Sequence, residues 1–271
     1  MNLIHLNWLN IMNCMIKNEL EIEKMRISGK LAAKVLEMIE EYVQPNTSTE
    51  ELNNICHNFI KQNDAIPACL GYHGFPKSVC ISVNDVVCHG IPDKNEILKI
   101  GDIVNIDVTV IKNNYYADTS KMFFVGKPSI LSKRLCKVTQ ESLYASLNLI
   151  KPGIPLFKIG EKIENYVESN GFSVVKEYCG HGIGSSFHEE PHVLHYKNNN
   201  KIILKKGMIF TIEPMVNTGK SEVKCMKDGW TVKTKDHSLS AQYEHTILVT
   251  DYGCDILTWQ QQEKILPSLN N

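Results

Sequence analysis

The chain has 271 residues, 43% of them apolar and 22% charged, with a formal net charge of -1 and a pI near 6.8. That apolar share can bury a real core, while the balanced charge gives nucleic acid or an anionic membrane no electrostatic hold. No apolar run reaches the roughly 18 residues a membrane helix needs, and nine scattered cysteines without a C-x-x-C pair read as reduced thiols rather than a disulfide framework.

Residues 1–14 carry neither a basic leader nor a small-residue cleavage site, and read as a frayed tail or a misassigned start. From about Asn18 to Val43 the apolar positions follow a helical period. Leu31, Val35, Met38 and Tyr42 form one row and Ala32, Leu36, Ile39 and Val43 the next, with Pro45 as the stop. Ser48 followed by Glu51 reads as a capping box opening a second helix. Two further helices are predicted at about 132–150 and 157–169. Strand-like stretches rich in Val, Ile and Thr occupy about 79–83, 103–110, 115–125, 173–177, 208–216, 230–235, 241–249 and 254–258.

An internal repeat organises these elements. LKIGDIVNIDVTV (98–110) and LKKGMIFTIEPMV (204–216) match at a constant offset of 106, which sets Asp107 opposite Glu213. Each half runs helix, helix, strands. The order favours one α+β domain over residues 15–271, built of two pseudo-symmetric halves (about 15–130 and 131–260) with a site at their junction.

The chemistry is concentrated in acids on apolar strands. With Asn113 and Asn114 as a two-residue turn, 112 pairs with 115, 109 with 118 and 107 with 120. Asp107 and Asp118 then share a sheet face as diagonal neighbours, Cβ atoms about 7–8 Å apart. A lone strand carboxylate ordinarily faces solvent. Asp107, Asp118, Glu213 and Glu244 all lie in apolar strands, however, where an unpaired charge is costly to bury. His181 sits in the glycine run Cys179–Gly184, and His188 and His89 lie in Phe187-His188-Glu189-Glu190-Pro191 and Cys88-His89-Gly90-Ile91-Pro92. One imidazole with four carboxylates is a mostly hard-oxygen ligand set, suited to Fe, Mn or Co rather than a closed structural zinc site, and four carboxylates neutralise two divalent cations.

The stretches GYHGFPKSVCISVNDVVCHGIP (71–92), GDIVNIDVTV (101–110), ADTSKMFFVGKP (117–128), EYCGHGIG (177–184), FHEEPHVLHY (187–196), FTIEPMV (210–216) and MKDGWTVKTKDHSLSAQYEHT (226–246) together resemble type I methionine aminopeptidases of the short bacterial form. The resemblance implies the pita-bread fold, a curved antiparallel sheet with helices on its outer face. It implies that Asp118 and Glu244 bridge two metals, that Asp107 completes one coordination shell, and that His181 and Glu213 complete the other. Glu213 would also transfer protons, His188 would contact the scissile carbonyl, and His89 would lie near the scissile nitrogen. The methionine pocket maps onto Cys69, Tyr72, Phe75, Cys80, Phe187 and Trp230, where aromatic walls and sulfur suit a thioether.

A Na or K ion would use Asn84, Val86 and Ser240. The implied partner is the N-terminal methionine of nascent polypeptides, with transient ribosome contact, no membrane, a monomeric state and a cytoplasmic location. Two departures bear on rate and selectivity: Phe75 stands where relatives commonly have Tyr, and Ser185-Ser186 replaces a more basic spelling. Rival readings are a peptidase for Xaa-Pro bonds and a non-catalytic binding module of the same fold.

Overall fold

The computed structural model describes residues 16–261, so the reading of residues 1–14 falls outside the described chain. Helix α1 (Glu19–Ile39) opens on a complete capping box. The Asn18 side chain accepts the Glu21 N–H, and the Glu21 carboxylate accepts that of Asn18. After Ile39 the chain tightens into a 3-10 turn, Glu40–Tyr42. Three residues per turn break the 3.6-residue row, and Tyr42 emerges exposed instead of continuing the buried face expected of it. At the second helix, α2 (Thr49–Gln62), Ser48 accepts the Glu51 N–H as predicted. Helices α3 (Ile130–Leu147) and α4 (Phe157–Ser169) complete the set; Ser129 caps the first of these, whose start precedes the predicted one by two residues.

The strands, in chain order, are β1 (Ile66–Pro67), β2 (Cys80–Val83), β3 (Val86–Cys88), β4 (Ile103–Lys112), β5 (Tyr115–Phe124), β6 (Ser173–Val174), β7 (Gly180–Gly182) and β8 (Glu189–Val193). There follow β9 (Ile209–Ile212), β10 (Met215–Asn217), β11 (Val223–Cys225), β12 (Val232–Thr234), β13 (Ser240–Gln242), β14 (His245–Val249) and β15 (Cys254–Ile256). Antiparallel pairing runs β1-β4-β2 with β5 also on β4, then β15-β14-β9-β7-β8, with smaller sheets β13-β10-β6 and β11-β12-β3.

Asn113 and Asn114, both at positive φ (53° and 63°), form the predicted tight turn between β4 and β5. The register is the expected one: Lys112 opposite Tyr115, Thr109 opposite Asp118, Asp107 opposite Ser120. The predicted strands 208–216 and 241–249 are each interrupted, at Glu213-Pro214 and at Tyr243-Glu244. Pro214 has no N–H to give to a ladder, so the first of these strands cannot run through.

Two cores lie beneath the helices. One joins α1 and α2 to β2, β4 and β5 through residues such as Leu36, Leu52, Ile81 and Ile106; the other joins α3 and α4 to β9, β13 and β14 through Leu135, Ile163, Phe210 and Ile247. Each such side chain, wholly buried, contributes about 1.5–3 kcal/mol of transfer free energy. Among the described residues no helix is long and apolar enough to cross a membrane.

Candidate active site

Asp107, Asp118, His181, Glu213 and Glu244 all line one cavity, although the strands that carry them lie far apart in sequence. Ligand atoms of Asp118, His181 and Glu244 lie within 4.8 Å of one another. His181 Nε2 is 3.8 Å from Asp118 Oδ2 and 3.7 Å from Glu213 Oε1. The Nδ1–H of His181 donates to the Gly182 carbonyl (3.0 Å), which leaves the Nε2 lone pair aimed at the carboxylates. Gly180 permits this approach, because a Cβ there would stand 2.3 Å from the Thr211 carbonyl oxygen.

Threonines orient the acids. Thr109 Oγ1 donates to Asp118 Oδ1 (2.8 Å), and Thr211 Oγ1 donates to Glu213 Oε1 (2.8 Å) while accepting the His181 N–H. Gln242 Nε2 donates to the other Glu213 oxygen (3.3 Å).

The acids are out of their ordinary range. Burial pushes the Glu213 carboxyl up to about 8 against the pull of the Thr211 hydrogen bond, and Asp107 up to about 6 against that of Asp118. Asp118 and Glu244 rise well above the usual carboxylate range, first through burial and then through the repulsion of the neighbouring acids. Asp107 Oδ1 and Glu244 Oε1 are buried without a hydrogen-bond partner. Protons or cations are what such a cluster lacks. Four carboxylates and one imidazole with a free Nε2 fit a pair of divalent ions in donor type and in charge. Burial also lowers His181 to about 3, so its ring is the neutral form that ligates metals.

The cavity, about 180 Å³, continues from these acids between Cys69, Tyr72, Phe75, Cys80, Phe187 and Trp230. Drug-sized pockets run to several hundred Å³, so this one is scaled to a single side chain. Phe75 meets Trp230 edge-on at 5.2 Å, and Phe187 lies against Tyr116 at 5.7 Å and stacks on His188 at 4.4 Å. Cys69 Sγ donates to Thr109 Oγ1 (3.5 Å), linking the pocket wall to the Asp118 carboxylate. At the mouth, the Tyr72 hydroxyl lies 2.7 Å from His188 Nδ1, and burial lowers His188 to about 4. His89, at φ 54°, packs edge-on against Tyr178 and Trp230. Asn84, Val86 and Ser240 lie elsewhere, in the β2–β3 turn, at the start of β3 and on β13, and the Ser240 N–H donates to the Asn84 carbonyl.

Sequence reasoning missed Tyr178, Cys179 and Met215 in the lining, and the threonines behind the acids. It also missed His195, which is buried, held neutral by a pKa lowered to about 3, and accepts the Glu213 N–H at Nε2 (3.1 Å). Alternation along β4 could have pointed to Thr109, two residues from Asp107. Nothing local marks His195.

The sequence pattern of metallopeptidase family M24 matches residues 23–251. The methionine aminopeptidase of Buchnera aphidicola subsp. Schizaphis graminum is 77% identical over 254 residues, 94% of this chain and 97% of that protein. That of Escherichia coli K12 is 65% identical over 252 residues, 92% and 96%. The solved methionine aminopeptidase of Rickettsia prowazekii is similar at TM-score 0.88 and 51% identity, covering 90% of this chain and 99% of that one. A prolidase from Pyrococcus furiosus, at TM-score 0.76 and 21% identity over 94% of this chain and 68% of that one, shares the fold alone. The architecture is the α+β pita-bread fold. On these grounds the chain belongs to metallopeptidase family M24, among its methionine aminopeptidases.

Proposed function

We propose that the chain hydrolyses the first peptide bond of newly made polypeptides that begin with methionine, preferring small second residues. The observation that carries this reading is the convergence of five ligand side chains, four of them buried and Asp107 half-buried, at the end of a cavity sized for one side chain. The reading takes residues 15–271 as one catalytic domain of two halves.

Asp107, Asp118, His181, Glu213 and Glu244 would together hold two divalent ions (Fe, Mn or Co). When bound, such a pair supplies a water of lowered pKa and polarises the peptide carbonyl. The remaining work falls to the chain. Phe75, Trp230, Phe187, Tyr72, Cys69 and Cys80 take up the methionine side chain, and the narrow pocket holds the scissile bond at the acids. Glu213 takes a proton from the attacking water and passes it to the leaving nitrogen, its carboxylate held for both transfers by Thr211 and Gln242. His188, oriented by the Tyr72 hydroxyl, donates a hydrogen bond to the carbonyl oxygen as negative charge develops there. His89, close by Trp230, assists at the leaving nitrogen.

Asn84, Val86 and Ser240 would hold a Na or K ion through oxygen atoms. The protein would act as a monomer in the cytoplasm with transient ribosome contact, in keeping with eight described cysteines that are all free thiols.

The test is methionine release from Met-Ala-Ser and from analogues with larger second residues, in chelated protein and after adding Fe(II), Mn(II) or Co(II). Metal-dependent release from Met-Ala-Ser, with Ala-Pro-Ala left intact, is expected. Cleavage of Ala-Pro-Ala in preference would transfer the chain to the Xaa-Pro peptidases, and no hydrolysis with any metal would favour a binding module.

A further inference from the structure

We infer that His195 is a positioning residue for Glu213: its imidazole takes the place of a missing strand partner and fixes the backbone from which that carboxylate projects. The inference rests on the reading of Glu213 as a metal ligand.

The two acids related by the repeat are held differently. Asp107 lies inside β4, paired to Cys80 on one side and Ser120 on the other, so the sheet itself sets its backbone. Glu213 lies in a gap. Strand β9 ends at Ile212, β10 begins at Met215, and Pro214 between them has no N–H. The Glu213 N–H is buried at this break, where an unpaired donor would be costly. Its acceptor is His195 Nε2, 3.1 Å away. Accepting this bond requires that Nε2 carry no proton, so the ring contributes as a neutral acceptor of fixed tautomer.

The backbone that carries the imidazole is itself held from behind. A Cβ at Gly160 of α4 would stand 2.4 Å from the carbonyl oxygens of both Leu194 and Tyr196, so the residues flanking His195 press directly on the helix backbone. The Lys197 N–H donates to the buried Glu164 carboxylate of the same helix (2.9 Å). Helix α4 thus fixes the turn, the turn fixes His195, and His195 fixes the Glu213 peptide. Thr211 and Gln242 then orient the carboxylate from the other end. Without the acceptor the peptide is free to rotate. The carboxylate shifts relative to His181, while Asp107, Asp118 and Glu244 keep their own supports.

The experiment compares wild type, His195→Leu, which keeps bulk and loses the acceptor, and His195→Gln, which restores an acceptor oxygen. Chelated protein is titrated with Mn(II) by calorimetry and with Co(II) by visible absorption, alongside kcat and KM on Met-Ala-Ser. Expected for His195→Leu is a tenfold or greater weakening of one of two binding equilibria with the other within about threefold, an altered Co(II) spectrum, and a tenfold or greater fall in kcat with KM within about threefold. His195→Gln should recover most of each loss. Unchanged metal binding in His195→Leu, or equal weakening of both equilibria without recovery in His195→Gln, overturns the inference.

Glu213→Ala is the control. If it weakens one equilibrium while His195→Leu does not, only the role of His195 falls; if it weakens neither, the ligand assignment falls as well. Should His195→Leu fail to fold, imidazole 15N spectra of the wild-type metal-loaded enzyme decide. An unprotonated His195 Nε2 coupled to the Glu213 amide supports the inference, and a protonated one overturns it.

Discussion

Ser120 and Glu244 exchange backbone hydrogen bonds, the Ser120 N–H donating to the Glu244 carbonyl (3.3 Å) and the Glu244 N–H to that of Ser120 (3.1 Å). This bridge joins β5 to the chain entering β14, and so brings together Asp118 and Glu244, 126 residues apart. Thr119 Oγ1 adds a bond to the same Glu244 carbonyl (2.7 Å). Two residues further, on β14, Thr246 Oγ1 accepts the Asp118 N–H (3.2 Å) and donates to the Asp118 carbonyl (2.8 Å). The two acids are therefore carried on strands stitched by side-chain hydroxyls rather than by a continuous ladder.

Thr246→Val should expose this dependence. The change keeps shape but leaves the buried Asp118 N–H and carbonyl short of a partner, which costs about 1–3 kcal/mol. Urea denaturation should register that loss, and kcat should fall about tenfold as Asp118 shifts against Glu244. Wild-type values for both would show that the stitch does not hold the acids in place.

Replacing an acid should separate activity from stability. Asp107→Ala, Asp118→Ala and Glu244→Ala are each expected to lower kcat/KM at least about 10³-fold, the scale of losing a metal-activated water. In chelated protein, however, Asp118→Asn should raise Tm, because burial and the neighbouring acids disfavour the Asp118 charge. Near-native turnover in any alanine variant, or a lower Tm for chelated Asp118→Asn, would contradict the account of the cluster.

The pH dependence of the metal-free protein follows from the same acids. Folding raises Asp107 from 3.8 to about 6 and Glu213 from 4.5 to about 8. Between the ordinary and raised values the native state holds protons that the unfolded chain has released, so stability falls as pH rises. The penalty sets in as pH rises past about 4 and is still growing at pH 8, where Glu213 is titrating. Metal displaces those protons. Calorimetry should therefore show chelated protein losing Tm from pH 5 to pH 8, and added Mn(II) raising Tm more at pH 8 than at pH 5. A flat chelated profile would rule this out.

Lys17 gives the first described residues a part in the site. Its buried ammonium pairs with Glu189 at 2.5 Å, and the other oxygen of that carboxylate accepts the Ser186 N–H (3.0 Å), bracing the loop that carries Phe187 and His188. Lys17→Met leaves the half-buried Glu189 carboxylate without its cation and should cost about 1–3 kcal/mol, most of it recovered in Lys17→Met with Glu189→Gln. Denaturation of the two variants measures this; equal losses in both would show that the charges are not coupled.

At the mouth, His188→Ala should lower kcat about 10²–10³-fold if the ring stabilises the oxyanion. Tyr72→Phe, which removes only the hydroxyl that orients it, should cost about three- to tenfold. A His188→Ala effect below tenfold would reduce the ring to a support.

Much of the site was legible because it depends on local rules. Asn113-Asn114 dictates a tight turn, the turn dictates the register, and period-two alternation then puts Asp107 and Asp118 on one face. The repeat likewise marked Glu213 as the counterpart of Asp107. The breaks at Glu213-Pro214 and Tyr243-Glu244 were not read, because apolar alternation continues across them and only the pairing of neighbouring strands shows where the ladder stops.

By itself the amino-acid sequence determined which groups carry the chemistry and how Asp107 and Asp118 sit on their strands, since side-chain type, turn residues and alternation act over a few positions. Tertiary structure alone decided what supports them: the Ser120–Glu244 bridge, the Thr246 stitch, the Lys17–Glu189 pair and the imidazole of His195 behind Glu213. Each joins groups 18 to 172 residues apart. A hydrogen bond formed at such separations leaves no periodic trace along the chain, because its geometry is set by the packing of whole elements.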